Sequence, residues 1–166
     1  MSIGEIMRYA GAVALLASAL LVIRSYRAHL GRRRREGSAF LELIERIYDM
    51  VELFLTPIKR IFLEYETDEQ TVSDLVEDIR GGAAPNEAFA KVKGRLAIGR
   101  EGKEILEKLF SGLGKGYKDG ALSLIDGCKK RFIEYKNASE EDGEKSISVI
   151  SALVLGGVAG VVLLFI

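Results

Sequence analysis

The chain has 166 residues, 48% apolar and 29% charged, with 24 basic residues against 24 acidic ones. That length suits about one domain, and the balanced charge leaves no global field to attract nucleic acid or an acidic substrate. One cysteine, Cys128, excludes an internal disulfide, and one histidine, His29, cannot supply the paired ligands of a zinc site, so neither metal nor cofactor is expected. A mean hydropathy of +0.13 beside so many charges requires apolar and charged residues to be segregated along the chain.

The first apolar stretch is Tyr9 to Ile23, 15 residues without a charge, extended by Ile3, Ile6 and Met7 past the isolated pair Glu5 and Arg8. It is a borderline span for a bilayer core that needs about 20 apolar residues. Six arginines follow it: Arg24, Arg27, Arg32, Arg33, Arg34 and Arg35. A secretory signal carries its charges in the opposite order. The positive-inside rule therefore puts the N-terminus outside and the chain in the cytoplasm from about residue 24. Topology and lipid headgroups account for these arginines without nucleic acid.

Helical periodicity then continues with few strand signals. Ser38 reads as an N-cap for a first amphipathic helix with Leu41, Ile44, Tyr48, Val51 and Leu55 on one face. Thr56-Pro57 reads as the start of a short second helix through Ile58, Ile61 and Phe62. Thr71 with Asp74 resembles a capping box for a third, carrying Val72, Leu75, Val76 and Ile79 and closed by Gly81-Gly82. Pro85 opens a fourth helix with Phe89 and Val92, which fades near Gly94 and Gly99. A fifth holds Ile105, Leu106, Leu109 and Phe110 and is stopped by the glycines at 112, 114 and 116. The sixth starts near Tyr117, carries Leu122, Ile125, Cys128, Phe132 and Tyr135, and is expected to run through the acidic stretch Glu140 to Glu144 into the last span.

That span is Ser146 to Ile166, 21 uncharged residues rich in Val, Leu and Ile, long enough for a transmembrane helix. The expected fold class is all-α: residues 1–23 a transmembrane helix, 24–145 a cytoplasmic six-helix bundle, and 146–166 a second transmembrane helix. Ala10, Ala14 and Ser18 in one span, and Gly156 and Gly160 in the other, form small-residue faces that allow close helix packing. The spans are free to pair with each other, with partner subunits or with a second copy of the chain.

Chemistry is harder to find. Gly102-Lys103 precedes Glu104 where a phosphate loop needs Ser or Thr, and the glycines at 112, 114 and 116 read as helix ends. The one histidine, His29, stands beside the membrane in the arginine cluster, so a Ser/His/Asp or Cys/His arrangement has poor support, and Cys128 reads as a small core residue. The chain is not expected to be an enzyme. Charge does fall in blocks: residues 36–79 hold 12 acidic and 3 basic residues, and residues 80–136 hold 13 basic and 7 acidic. The blocks suit attraction between the two halves of the bundle, or a charged face for a soluble partner, with Lys129, Lys130 and Arg131 as candidate docking residues.

The run Ala10 to Ser18, the arginine-rich exit, Glu52-Leu53-Phe54-Leu55-Thr56-Pro57-Ile58, the stretch from Leu109 to Gly114, and Leu155-Gly156-Gly157 together resemble stage III sporulation protein AB. The resemblance implies a component of the channel complex between mother cell and forespore in endospore-forming bacteria, in the mother-cell membrane with its main domain cytoplasmic. It also implies a helical domain similar to the platform protein of type II secretion and type IV pilus systems. The implied partners are a secretion-type ATPase and other membrane subunits. The rival expectation is a membrane-anchored adaptor or regulator whose helical domain binds an unrelated cytoplasmic protein.

Overall fold

The computed structural model describes residues 3–54, 58–113 and 118–165, and every element among them is a helix. In chain order these are α1 (Ile3–Phe54), α2 (Ile58–Leu63), α3 (Gln70–Arg80), α4 (Pro85–Lys93), α5 (Arg100–Gly112) and α6 (Lys118–Phe165). The chain divides into two compact units, residues 32–139 and the two terminal segments, up to residue 31 and from residue 140.

One expected helix start is absent. α1 is a single helix of 52 residues that passes through Ser38, so Ser38 is not an N-cap. Gly31 and Gly37 each cost about 1 kcal/mol relative to alanine inside a helix, too little to end it when arginines and leucines surround them and no proline intervenes. α6, of 48 residues, likewise runs without interruption through Glu140 to Glu144, as the sequence suggests.

In the unit of residues 32–139 the core draws on every helix. α1 contributes Phe40, Leu43, Ile44, Ile47 and Val51, all buried. This face is rotated from the expected one: Leu41 and Tyr48 only edge the core, and Leu55 lies outside the described residues. Phe89 of α4 stacks on Phe110 of α5 with ring centroids 5.1 Å apart, and Phe40 meets both edge-on at 6.4 Å. Such aromatic geometry adds about 0.5–1.5 kcal/mol per pair beyond the area buried. α6 closes the core with Ile125, Cys128, Phe132 and Tyr135 of the expected stripe, while Leu122 packs at its margin.

The short helices end where their sequences allow. α3 begins two residues earlier than expected: Glu69 is the N-cap, its carboxylate accepting from Val72 N at 3.0 Å, and Thr71 is buried within the first turn. At the other end Gly82 takes φ of 100°, a left-handed conformation that favours glycine and turns the chain toward Pro85 at the start of α4. Arg80 donates to Phe62 O at 2.7 Å and also to Tyr65 O, tying the end of α3 to the segment before it. The expected starts at Thr56-Pro57 and Tyr117, and the glycines at 114 and 116, lie outside the described residues.

In the other unit, Ala19 is buried, and Ala12, Ile23, Tyr26 and Leu30 are half-buried along one face of α1. α6 has Gly143 buried and Ile147, Ile150, Val154 and Val158 half-buried at helical spacing. A Cβ on Gly143 would stand 3.3 Å from the Leu30 side chain, so the two segments meet there. Ala10, Ala14, Ser18, Gly156 and Gly160 are all exposed, and a Cβ at Gly156 or Gly160 would meet nothing within 4 Å. Within this chain the small-residue faces are therefore not the faces that pack.

Candidate docking surface

Lys129, Lys130 and Arg131 are consecutive on α6, and a helix turns about 100° per residue, so they point in three directions. Lys129 is engaged inside the bundle: Nζ is 3.2 Å from Glu45 and lies 5.7 Å above the Tyr48 ring. Lys130 pairs with Asp126 one turn back at 2.7 Å, which holds its ammonium pKa above the ordinary value. Arg131 is exposed, and with Lys108 of α5 it lines a hollow of about 370 Å³ between α5 and α6. The expected three-residue patch thus resolves into one packing contact, one local pair and one groove residue.

Several ion pairs join the acidic block to the basic one: Lys129 to Glu45, Lys91 to Asp78 at 3.0 Å, and Arg95 to Asp74 at 2.8 Å. Asp74 is held below the ordinary carboxylate range by hydrogen bonds from Gln70 first and Arg95 second. These three contacts link residues of the two blocks. Each exposed pair is worth at most about 1 kcal/mol. On the acidic side Glu42, Glu45, Asp49, Glu64 and Glu66 line a second hollow of about 480 Å³, with Arg46 among them. Tyr65 lies against it and donates to Ala39 O at 3.2 Å; burial, then the Glu42 charge, push its phenol up to about 12.

Two of the exit arginines belong to the bundle. Glu36 is completely buried and accepts from Arg32 Nε at 2.9 Å, from Ala97 N at 2.6 Å and from Ile98 N at 3.3 Å. Arg32 also donates to Arg95 O at 2.9 Å. One helical position along, Arg33 donates to the Tyr135 hydroxyl at 3.0 Å, and that hydroxyl also accepts from Gly99 N at 2.7 Å. Together Glu36 and Tyr135 satisfy three consecutive amides of the loop between α4 and α5. Reading Arg32 and Arg33 as topology residues alone is therefore incomplete; Arg24, Arg27, Arg34 and Arg35 are exposed. Sequence reasoning missed Glu36 because a glutamate inside an arginine run reads as solvated charge. The remaining clue is local: Arg32 and Glu36 stand four residues apart on one helix.

Among the described residues no group of three or more His, Cys, Asp or Glu is placed to hold a metal ion. Burial raises the pKa of the Cys128 thiol, with Lys108 and then Arg131 pulling the other way. The arrangement offers charged surfaces and a helical framework.

Among the described residues the protein is all-helical, with two helices long and apolar enough to cross a membrane, α1 and α6. The chain belongs to the stage III sporulation protein AB family, whose model matches residues 8–166. That membership makes it a sporulation-stage protein. No curated protein and no solved structure matches it.

Proposed function

We propose that the chain is a non-enzymatic platform subunit in the mother-cell membrane around the forespore, coupling a cytoplasmic secretion-type ATPase to other membrane subunits of a sporulation channel. The observation that carries this reading is the continuity of α1 and α6, each an unbroken helix that contains an apolar segment and part of the bundle core. In this reading the chain passes from the bundle core into each apolar segment without an intervening loop. In this reading residues 32–139 face the cytoplasm, and the exposed small-residue faces at Ala10, Ala14 and Ser18 and at Gly156 and Gly160 take partner subunits or a second copy of the chain.

The test is a pull-down of the full chain in nanodiscs against the secretion-type ATPase encoded beside it, from about 50 to 200 mM salt. Binding that weakens as salt rises is expected. A folded chain that captures no ATPase at any salt concentration overturns the coupling role and favours an adaptor for an unrelated protein.

A further inference from the structure

We propose that the groove between α5 and α6 is a docking surface for an acidic helical segment of a cytoplasmic partner protein. This rests on the platform reading only for who the partner is. The groove's residues themselves define the chemistry of its occupant.

Lys108 on α5 and Arg131 on α6 both line the hollow, and no carboxylate does. Both cations line the hollow together with Cys128, one from each of its two helices. Neither is drawn into an ion pair among the described residues, unlike Lys91, Lys93, Arg95, Lys129 and Lys130. In a domain that neutralises so many of its basic side chains internally, these two are left facing a concavity. An incoming carboxylate gains most where a partner has not already been supplied.

The shape selects a helix. Gly120, Ser123 and Gly127 recur at three and four residues along the α6 wall, and a Cβ built on either glycine would meet nothing within 4 Å. The wall is thus low over two helical turns, so another backbone can approach closely. From Gly120 to Arg131 it runs roughly 16 Å at 1.5 Å per residue, the length of about three turns of an incoming helix. Ile105 and Leu124 supply apolar surface to the hollow. Apolar floor, low wall and flanking cations fit a helix with one apolar face and carboxylates at its margin. A small anion would use none of the apolar floor.

The experiment uses the full chain in nanodiscs and two synthetic amphipathic peptides of about 18 residues, identical except that Glu in one is Lys in the other. Binding is read by fluorescence anisotropy. The acidic peptide is expected to bind, and to lose about tenfold in affinity with K108E/R131E, a change of about 1.4 kcal/mol. Arg100→Glu, at a side chain 94% exposed on the same helix as Lys108, is the charge control and is expected to leave binding unchanged. Circular dichroism confirms that each variant is folded. The proposal is overturned if the acidic peptide does not bind the folded chain, if K108E/R131E binds it as well as the parent, or if inorganic phosphate at matched ionic strength displaces it. Peptide binding without capture of the ATPase would instead sink the platform reading and leave the groove standing.

Discussion

Replacing Glu36 with alanine is expected to be among the most damaging single changes in the bundle, although the residue directly follows a run of four arginines. Its carboxylate has no solvent exposure and holds three donors, Arg32 Nε, Ala97 N and Ile98 N. Alanine leaves the Ile98 amide, which is buried, and the Ala97 amide, partly buried, without an acceptor. A buried donor left unpaired costs about 1–3 kcal/mol. Arg32 is half-exposed and recovers water, so it adds little. The loss from the two amides together is about 2–6 kcal/mol. Glu36→Gln keeps one oxygen for the amides but turns an NH₂ toward the Arg32 guanidinium, and about 1.5–3 kcal/mol is expected.

The assay has two parts. Thermal unfolding of the full chain in detergent, followed by circular dichroism, reads the global cost. Hydrogen exchange followed by mass spectrometry reads the loop, where amides 97 and 98 should lose protection before the helices do. The amide of Gly99, held by Tyr135, should respond less. An alanine variant that melts like the parent and keeps those amides protected would refute the argument that Glu36 closes this loop.

Other outcomes follow from particular contacts. Gly102→Ala should destabilise the bundle by about 1–3 kcal/mol in the same melts, because a Cβ there would stand 2.4 Å from Ile98 and 2.5 Å from Tyr135. Gly127→Ala, open on the same test, should be neutral or stabilise α6 by up to about 1 kcal/mol. Phe110→Ala should cost about 3–5 kcal/mol, since the ring is buried between Phe89 and Phe40. For Tyr65 the folded state raises the phenol from its ordinary 10 to about 12, so the fold favours the neutral form. Its contribution to stability is complete below about pH 10 and is lost as pH rises toward 12; a Tyr65→Phe variant should lack that alkaline loss when melts are compared across this range. Gly156→Ala and Gly160→Ala should leave the melting of the isolated chain unchanged, so any defect they cause in crosslinking to other copies or subunits reads an intermolecular face.

How far the sequence reaches differs from element to element. Local signals carried the short helices: Gly81-Gly82 and Pro85 punctuate the chain through backbone geometry that no distant contact changes, and α3 ends and α4 begins beside them. Periodicity carried the α6 stripe, because four of its five residues face the core at helical spacing. Ser38 and Thr71 misled for one reason: a hydroxyl caps a helix only where the chain actually begins one, and here helix formers on either side kept the backbone helical through Ser38. Glu69, not a usual capping residue, took the role at α3.

The sequence by itself determined that this chain is helical, that its apolar residues concentrate at its ends, and that its charges fall in opposed blocks, because each of these follows from composition and spacing along the chain. Only the tertiary structure decided what those charges do. Glu36 and Arg33 act on amides and a hydroxyl some 61 to 102 positions away, and Lys129 is engaged by Glu45, while Lys108 and Arg131 line one groove. Pairing of this kind depends on which helix faces are brought together, and burial then raises the worth of each pair, a quantity that has no counterpart along the chain.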